Sequence, residues 1–126
     1  MNEMPIVGVP TVTGDSAPVR DVAAIKAEIE SEIAANRILV YGKGTMEQPM
    51  CGFTVETKEF FAKYGHPFAI VDVLRDMDKR QVLSDMTNWR TLPKVFIDGQ
   101  FYGDTDILGP MEEKGELQEL LKRTFG

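Results

Sequence analysis

Two short apolar runs constrain this chain more than any other feature: Ile38-Leu39-Val40-Tyr41 and Phe68-Ala69-Ile70-Val71-Asp72-Val73. Each is continuous rather than alternating, so each reads as a buried strand. Between them Val55, Phe60, Phe61 and Tyr64 suggest a helix stopped by Gly65. A strand, a helix and a second strand predict a parallel pair joined by a right-handed crossover. Ahead of the first run, from Val19 onward, Val22, Ile25, Ile29 and Ile33 recur at helical spacing, giving an amphipathic helix that ends near Asn36.

The second half adds a different unit. Met77 to Met86 reads as a helix with Asp76 as its N-cap. Lys94-Val95-Phe96-Ile97 and Gln100-Phe101-Tyr102 flank Asp98-Gly99, a strong two-residue hairpin signal. Gly103-Asp104-Thr105-Asp106 leads into a last helical region ending near Phe125. Proline fits the first turn of a helix, so Pro110 predicts a start near Asp106, and Gly115 predicts a break into two short helices. The economical arrangement is a four-stranded mixed α/β sheet with helices on both faces. Residues 1–18 carry Pro5, Gly8, Pro10, Gly14 and Pro18 without helical period and read as a flexible tail, leaving 19–126 as one domain.

Bulk properties narrow the function. A net charge of −6 over 126 residues offers no global attraction to nucleic acid. No apolar stretch approaches the roughly 20 residues that span a bilayer, and no secretory signal is visible, so neither a membrane nor nucleic acid is expected as a partner. One cysteine cannot form an internal disulfide, which fits a reducing, cytoplasmic setting.

That cysteine, Cys51, lies in Lys43-Gly44-Thr45-Met46-Glu47-Gln48-Pro49-Met50-Cys51-Gly52-Phe53-Thr54, where a loop turns into a helix. The amides and partial positive charge of a helix N-terminus favour thiolate, the form that attacks disulfides and binds soft metals. The plain alternative is a small buried hydrophobe with an inert sulfur.

Three separated features resemble the monothiol glutaredoxins. They are Lys43 eight residues before Cys51-Gly52-Phe53-Thr54, then Trp89-Arg90-Thr91-Leu92-Pro93, then Gly103-Asp104-Thr105-Asp106. The resemblance covers roughly residues 19–124 and implies a thioredoxin-like fold that binds glutathione. It implies Cys51 as catalytic thiol and metal ligand, with Lys43, Phe53, Arg80, Thr91, Leu92, Pro93, Gly103, Thr105 and Asp106 around the cofactor. Lys43 and Arg80 are the candidate cations for the two glutathione carboxylates; Arg80 is otherwise a solvated surface charge. The resemblance makes Pro93 a cis proline, which would turn the Leu92 backbone toward the ligand for strand-like pairing. Asp106 can cap the last helical region and leave nearby amides for the γ-glutamyl carboxylate. Phe53 either flanks the ligand or pins its helix to the core, and Trp89 anchors its loop by packing. Thr54 stands where the family usually has Ser, Lys94 where Gln is common, and Asp104 where the family has a second Gly.

Two functions follow from the resemblance. The first is a carrier of [2Fe–2S] clusters: one thiolate per chain cannot fill four ligand positions, but two protein cysteines and two glutathione thiols can. That requires a homodimer in the cluster-bound state, and the family suggests a BolA-like protein and apo iron–sulfur proteins as partners. The second is a glutathione-dependent oxidoreductase acting on mixed disulfides. No cysteine occupies position 54, so a dithiol active-site disulfide is unavailable and the carrier is preferred. An arsenate-reductase-like enzyme fits the Trp-x-Thr-x-Pro and Gly-x-x-Asp features poorly.

Overall fold

The structure, a computed structural model, describes residues 21–126, so the tail expected at 1–18 lies outside the described residues. Helix α1 spans Val22–Ala35, with the Asp21 carboxylate accepting from the Ala23 amide at its start. Strand β1, Ile38–Gly42, follows. Then come α2 (Gly52–Ala62), β2 (Ala69–Asp72) and α3 (Met77–Thr87). The hairpin β3 (Lys94–Ile97) and β4 (Gln100–Gly103) leads to α4 (Thr105–Glu113) and α5 (Glu116–Phe125).

The sheet order is β2-β1-β3-β4. β1 runs parallel to β2 and antiparallel to β3, and β3 runs antiparallel to β4. Strand alternation splits the core in two. Ile38, Val40, Val95 and Ile97 meet Phe61 of α2, Leu108 of α4 and the α5 leucines on one face. Leu39, Tyr41 and Phe96 meet Ile25 and Ile29 of α1 and Val82 and Leu83 of α3 on the other. Each such fully buried apolar side chain stabilises the fold by about 1.5–3 kcal/mol. Asp98 and Gly99 both have positive φ, 51° and 80°, the pair of conformations that a twisted two-residue hairpin demands.

Two expectations need correction. β2 is not a buried strand: it forms one edge of the sheet and is half-buried, with Asp72 exposed. A continuous apolar run does not by itself separate a central strand from an edge strand. The last helical region starts one residue earlier than expected, at Thr105, and its cap is Asp104, whose carboxylate accepts from the Asp106 amide at 2.9 Å. Pro110 therefore lies in the second turn. The ring removes the donor that would reach the Asp106 carbonyl, and Asp106 is exposed, so water can take that bond. Gly115, at φ 79°, does separate α4 from α5.

Candidate active site: a cleft around one thiol

Cys51 is the N-cap residue of α2, and its carbonyl accepts from the Thr54 and Val55 amides at 3.0 Å each. Its side chain makes no capping bond and is partly exposed. The segment before it is a small closed turn. The Met50 amide donates to the Lys43 carbonyl at 2.8 Å, the Thr45 amide donates to the Gln48 carbonyl at 3.1 Å, and Gly44 bridges to Pro49. Gly44 has φ 96°, and a Cβ there would stand 2.4 Å from the Met50 nitrogen, so the turn closes only around glycine. This closure brings Lys43 beside Cys51 despite seven intervening residues.

Two side chains fix the turn, one from β2 and one from α2. The Asp72 carboxylate accepts from the Gly44 and Leu74 amides, 2.9 Å each. Those bonds, the Leu74 amide first and the Gly44 amide next, hold its carboxyl below the usual range. Thr54 is fully buried, and its hydroxyl accepts from the Lys43 amide at 3.2 Å. Its methyl and hydroxyl fill the space over Gly42, where a Cβ would meet them at 3.1 and 3.0 Å.

The opposite wall is the loop from Trp89 to Pro93. The Leu92–Pro93 peptide is cis, as the resemblance implied. Trp89 packs edge-on to Phe101, ring centroids 5.9 Å apart, and lies against Gly103, as expected of a loop anchor. Beneath the loop Lys94 is fully buried. Its Nζ donates to the Trp89 and Thr91 carbonyls, the latter at 3.1 Å. Burial pushes the Lys94 amine down to about 8.

Between these walls lies a cleft of about 540 Å³. Cys51, Lys43, Phe53, Arg80, Thr91, Leu92, Pro93, Thr105 and Asp106 all line it, so most residues singled out in the sequence share one cavity. Phe53 is exposed, which favours a place beside a ligand over a role in the core. The Arg80 guanidinium donates to the Leu74 carbonyl at 3.1 Å, and so is held at the rim rather than loose in solvent. Gly103 does not line the cavity. It ends β4 at φ 79°, and a Cβ there would clash with Ile107 at 2.9 Å. Arg90 and Asp104 line the cleft without having been candidates. Arg90 had a signal, being the cation inside Trp89-Arg90-Thr91-Leu92-Pro93. The lining thus carries three cations against two carboxylates on an otherwise acidic chain.

A four-stranded mixed sheet with a cis-proline loop facing a cysteine at a helix N-terminus defines a protein of the thioredoxin-like fold with a thiol cleft. The glutaredoxin family model matches residues 38–102. An uncharacterised monothiol glutaredoxin of Synechocystis sp. is 39% identical over 97 residues, 77% of this chain and 91% of the relative. Glutaredoxin 4 of Escherichia coli strain K12 is 41% identical over 97 residues, 77% of this chain and 84% of its own length. A buckwheat glutaredoxin–glutathione complex superposes with a TM-score of 0.72 at 22% identity, covering 82% of this chain and 92% of that one. The chain belongs to the glutaredoxin family, on its monothiol side.

Proposed function

We propose that this protein is a glutathione-dependent carrier of [2Fe–2S] clusters, assembled as a homodimer when loaded. The observation that carries the reading is the single uncapped, partly exposed thiol of Cys51, set in a cleft with Lys43, Arg80 and Arg90 on its rim. Glutathione is a tripeptide with two carboxylates. The cations suit the carboxylates, and the Leu92–Pro93 backbone suits the peptide unit. The buckwheat protein, which shares this fold, was solved with glutathione.

The donor count motivates the proposed stoichiometry. Among the described residues no group of three or more His, Cys, Asp or Glu could hold a metal, and one chain supplies one thiolate. Two chains and two glutathione thiols supply the four that a cluster takes as cargo. Lys43, Arg80 and the 89–93 loop would hold each glutathione so that its sulfur lies beside Cys51. A BolA-like protein and apo iron–sulfur proteins are the proposed partners. Among the described residues no helix is long and apolar enough to cross a membrane, and a reducing cytoplasm suits an unpaired thiol.

Anaerobic reconstitution with iron, sulfide and glutathione tests the proposal. Visible absorbance should appear together with a dimer in the ultracentrifuge, and acid release should yield two glutathiones per dimer. Cys51→Ser should give neither colour nor dimer while keeping its fold. A coloured monomer, or a coloured species free of glutathione, would reject the reading.

The partial exposure of Cys51 also favours slow deglutathionylation as a second activity. Its thiolate would attack the glutathionyl sulfur of a mixed disulfide, forming a Cys51–glutathione disulfide and releasing the substrate thiolate. A second glutathione thiolate then takes that sulfur, giving glutathione disulfide and regenerating the Cys51 thiolate. Position 54 is a buried threonine, so no internal thiol can resolve the intermediate.

A further inference from the structure

Lys94 is charged, fully buried and not on the cleft wall, and nothing in the function proposed above uses it. Its two bonds go to main-chain carbonyls of one loop, those of Trp89 and Thr91. A peptide unit is planar and trans, so its C=O and the following N–H point in opposite directions. Drawing the Thr91 carbonyl inward to the buried amine therefore turns the Leu92 N–H outward, on the side where Leu92 lines the cleft.

We propose that Lys94 is a positioning residue: from beneath the loop it aims the Leu92 N–H at the backbone of the bound peptide. This rests on the glutathione reading. A strand-like pair needs its donor aligned before the ligand arrives, since a donor already in place need not be ordered on binding. The brace is strongest while the amine is charged, because a charged donor roughly doubles a hydrogen bond. The titratable and charged groups on the elements around it are Tyr41, which stands opposite Lys94 on β1, Lys79 of α3, Glu28 and Glu32 of α1, and Arg90 of the loop itself, which lines the cleft. The glutamates bond to Lys79, which lies 5.7 Å from the Tyr41 ring. Burial alone lowers the Lys94 amine, so its charge is lost as pH rises through about 8.

The test is titration calorimetry of wild type, Lys94→Met and Lys94→Gln with S-methylglutathione, whose blocked sulfur removes thiol titration. At pH 7, Lys94→Met should bind about tenfold more weakly. Lys94→Gln should recover most of that loss, because its amide can donate to the same carbonyls. The wild-type advantage over Lys94→Gln should shrink as pH passes about 8. In the free proteins, the Leu92 amide resonance should titrate over that range in wild type and stay flat in Lys94→Gln. The amide readout holds even where Lys94→Met does not fold. Equal affinities in the folded proteins, or a wild-type Leu92 amide that stays flat as pH passes about 8, would overturn the assignment of Lys94 alone. Failure of wild type to bind would remove the glutathione reading, and this inference with it.

Discussion

Two lysines are buried against the same face of the sheet, and they are treated in opposite ways. Lys79, on α3, ion-pairs with Glu28 at 2.9 Å and Glu32 at 2.8 Å. Burial lowers its amine, but the bonds to Glu32 and Glu28 outweigh burial and leave it raised. Glu32 also accepts from the Tyr41 hydroxyl at 2.7 Å. Burial first, then that bond, pushes Tyr41 upward. Lys94, directly across from Tyr41 on β3, has carbonyl dipoles as its partners, and its amine is lowered to about 8. The difference teaches where charge is compensated for stability and where it is kept at a cost for the sake of geometry. Carboxylates cancel the buried charge beside α1; beside the cleft, loop carbonyls do so only in part.

The comparison breaks most sharply with pH. Lys94 binds its proton less tightly in the folded state than in the unfolded chain, whose ordinary value is 10.5. Stability should therefore rise between pH 8 and 10.5, relative to Lys94→Gln, by about 3 kcal/mol in all. Lys79 carries the opposite sign: its contribution is complete below 10.5 and is lost above that, as pH passes its raised folded value. Urea unfolding of both proteins across this range measures it, and parallel curves would show that burying the Lys94 charge costs nothing.

Lys79→Met should be next in size, destabilising by about 2–3 kcal/mol because two partly exposed glutamates lose the cation they share. Glutathione affinity should stay within about twofold, since Lys79 does not line the cleft. A tenfold change in binding would erase the proposed division between the two lysines. Thr54→Val keeps the shape and removes the acceptor for the Lys43 amide. A loss of about 1–2 kcal/mol is expected, with a weaker glutathione isotherm because the Lys43 turn loosens. The smallest effect belongs to Asp104→Asn. Asparagine caps as well as aspartate, so stability should move by under about 0.5 kcal/mol. Removing a carboxylate from the cleft lining should tighten glutathione binding about two- to fivefold at low salt, and the gain should fade as salt rises. Weaker binding would make Asp104 a ligand contact in its own right.

Much of this was legible in the chain. Continuous apolar runs and the Asp98-Gly99 turn gave the strands, helical periodicity gave α1, and the Asp76 cap marked α3, because burial, turn sterics and capping are local in sequence. Cys51 was legible from its place where a loop becomes a helix, but Arg80 and Leu92 were legible only through the resemblance, since they lie on separate elements that the fold brings to it. The capping role of Asp104 escaped because two aspartates flank one threonine at the start of α4, and spacing alone cannot say which carboxylate turns back onto the amides. Lys94 escaped for a deeper reason. A lysine opening a strand reads as a solvated charge, and only the loop folded over it makes it a buried brace.

Gly42 and Thr54 are bound to one another in the history open to this sequence. With threonine at 54, any side chain at 42 would have to push into its methyl and hydroxyl at about 3 Å. With serine at 54 the methyl is gone, and an alanine side chain at 42 has less to displace. A drifting lineage therefore reaches Gly42→Ala more easily by losing the threonine methyl first. A lineage that already carries Gly42→Ala would find the threonine hard to regain. One methyl group over Gly42 thus imposes an order on substitutions that, on paper, look independent.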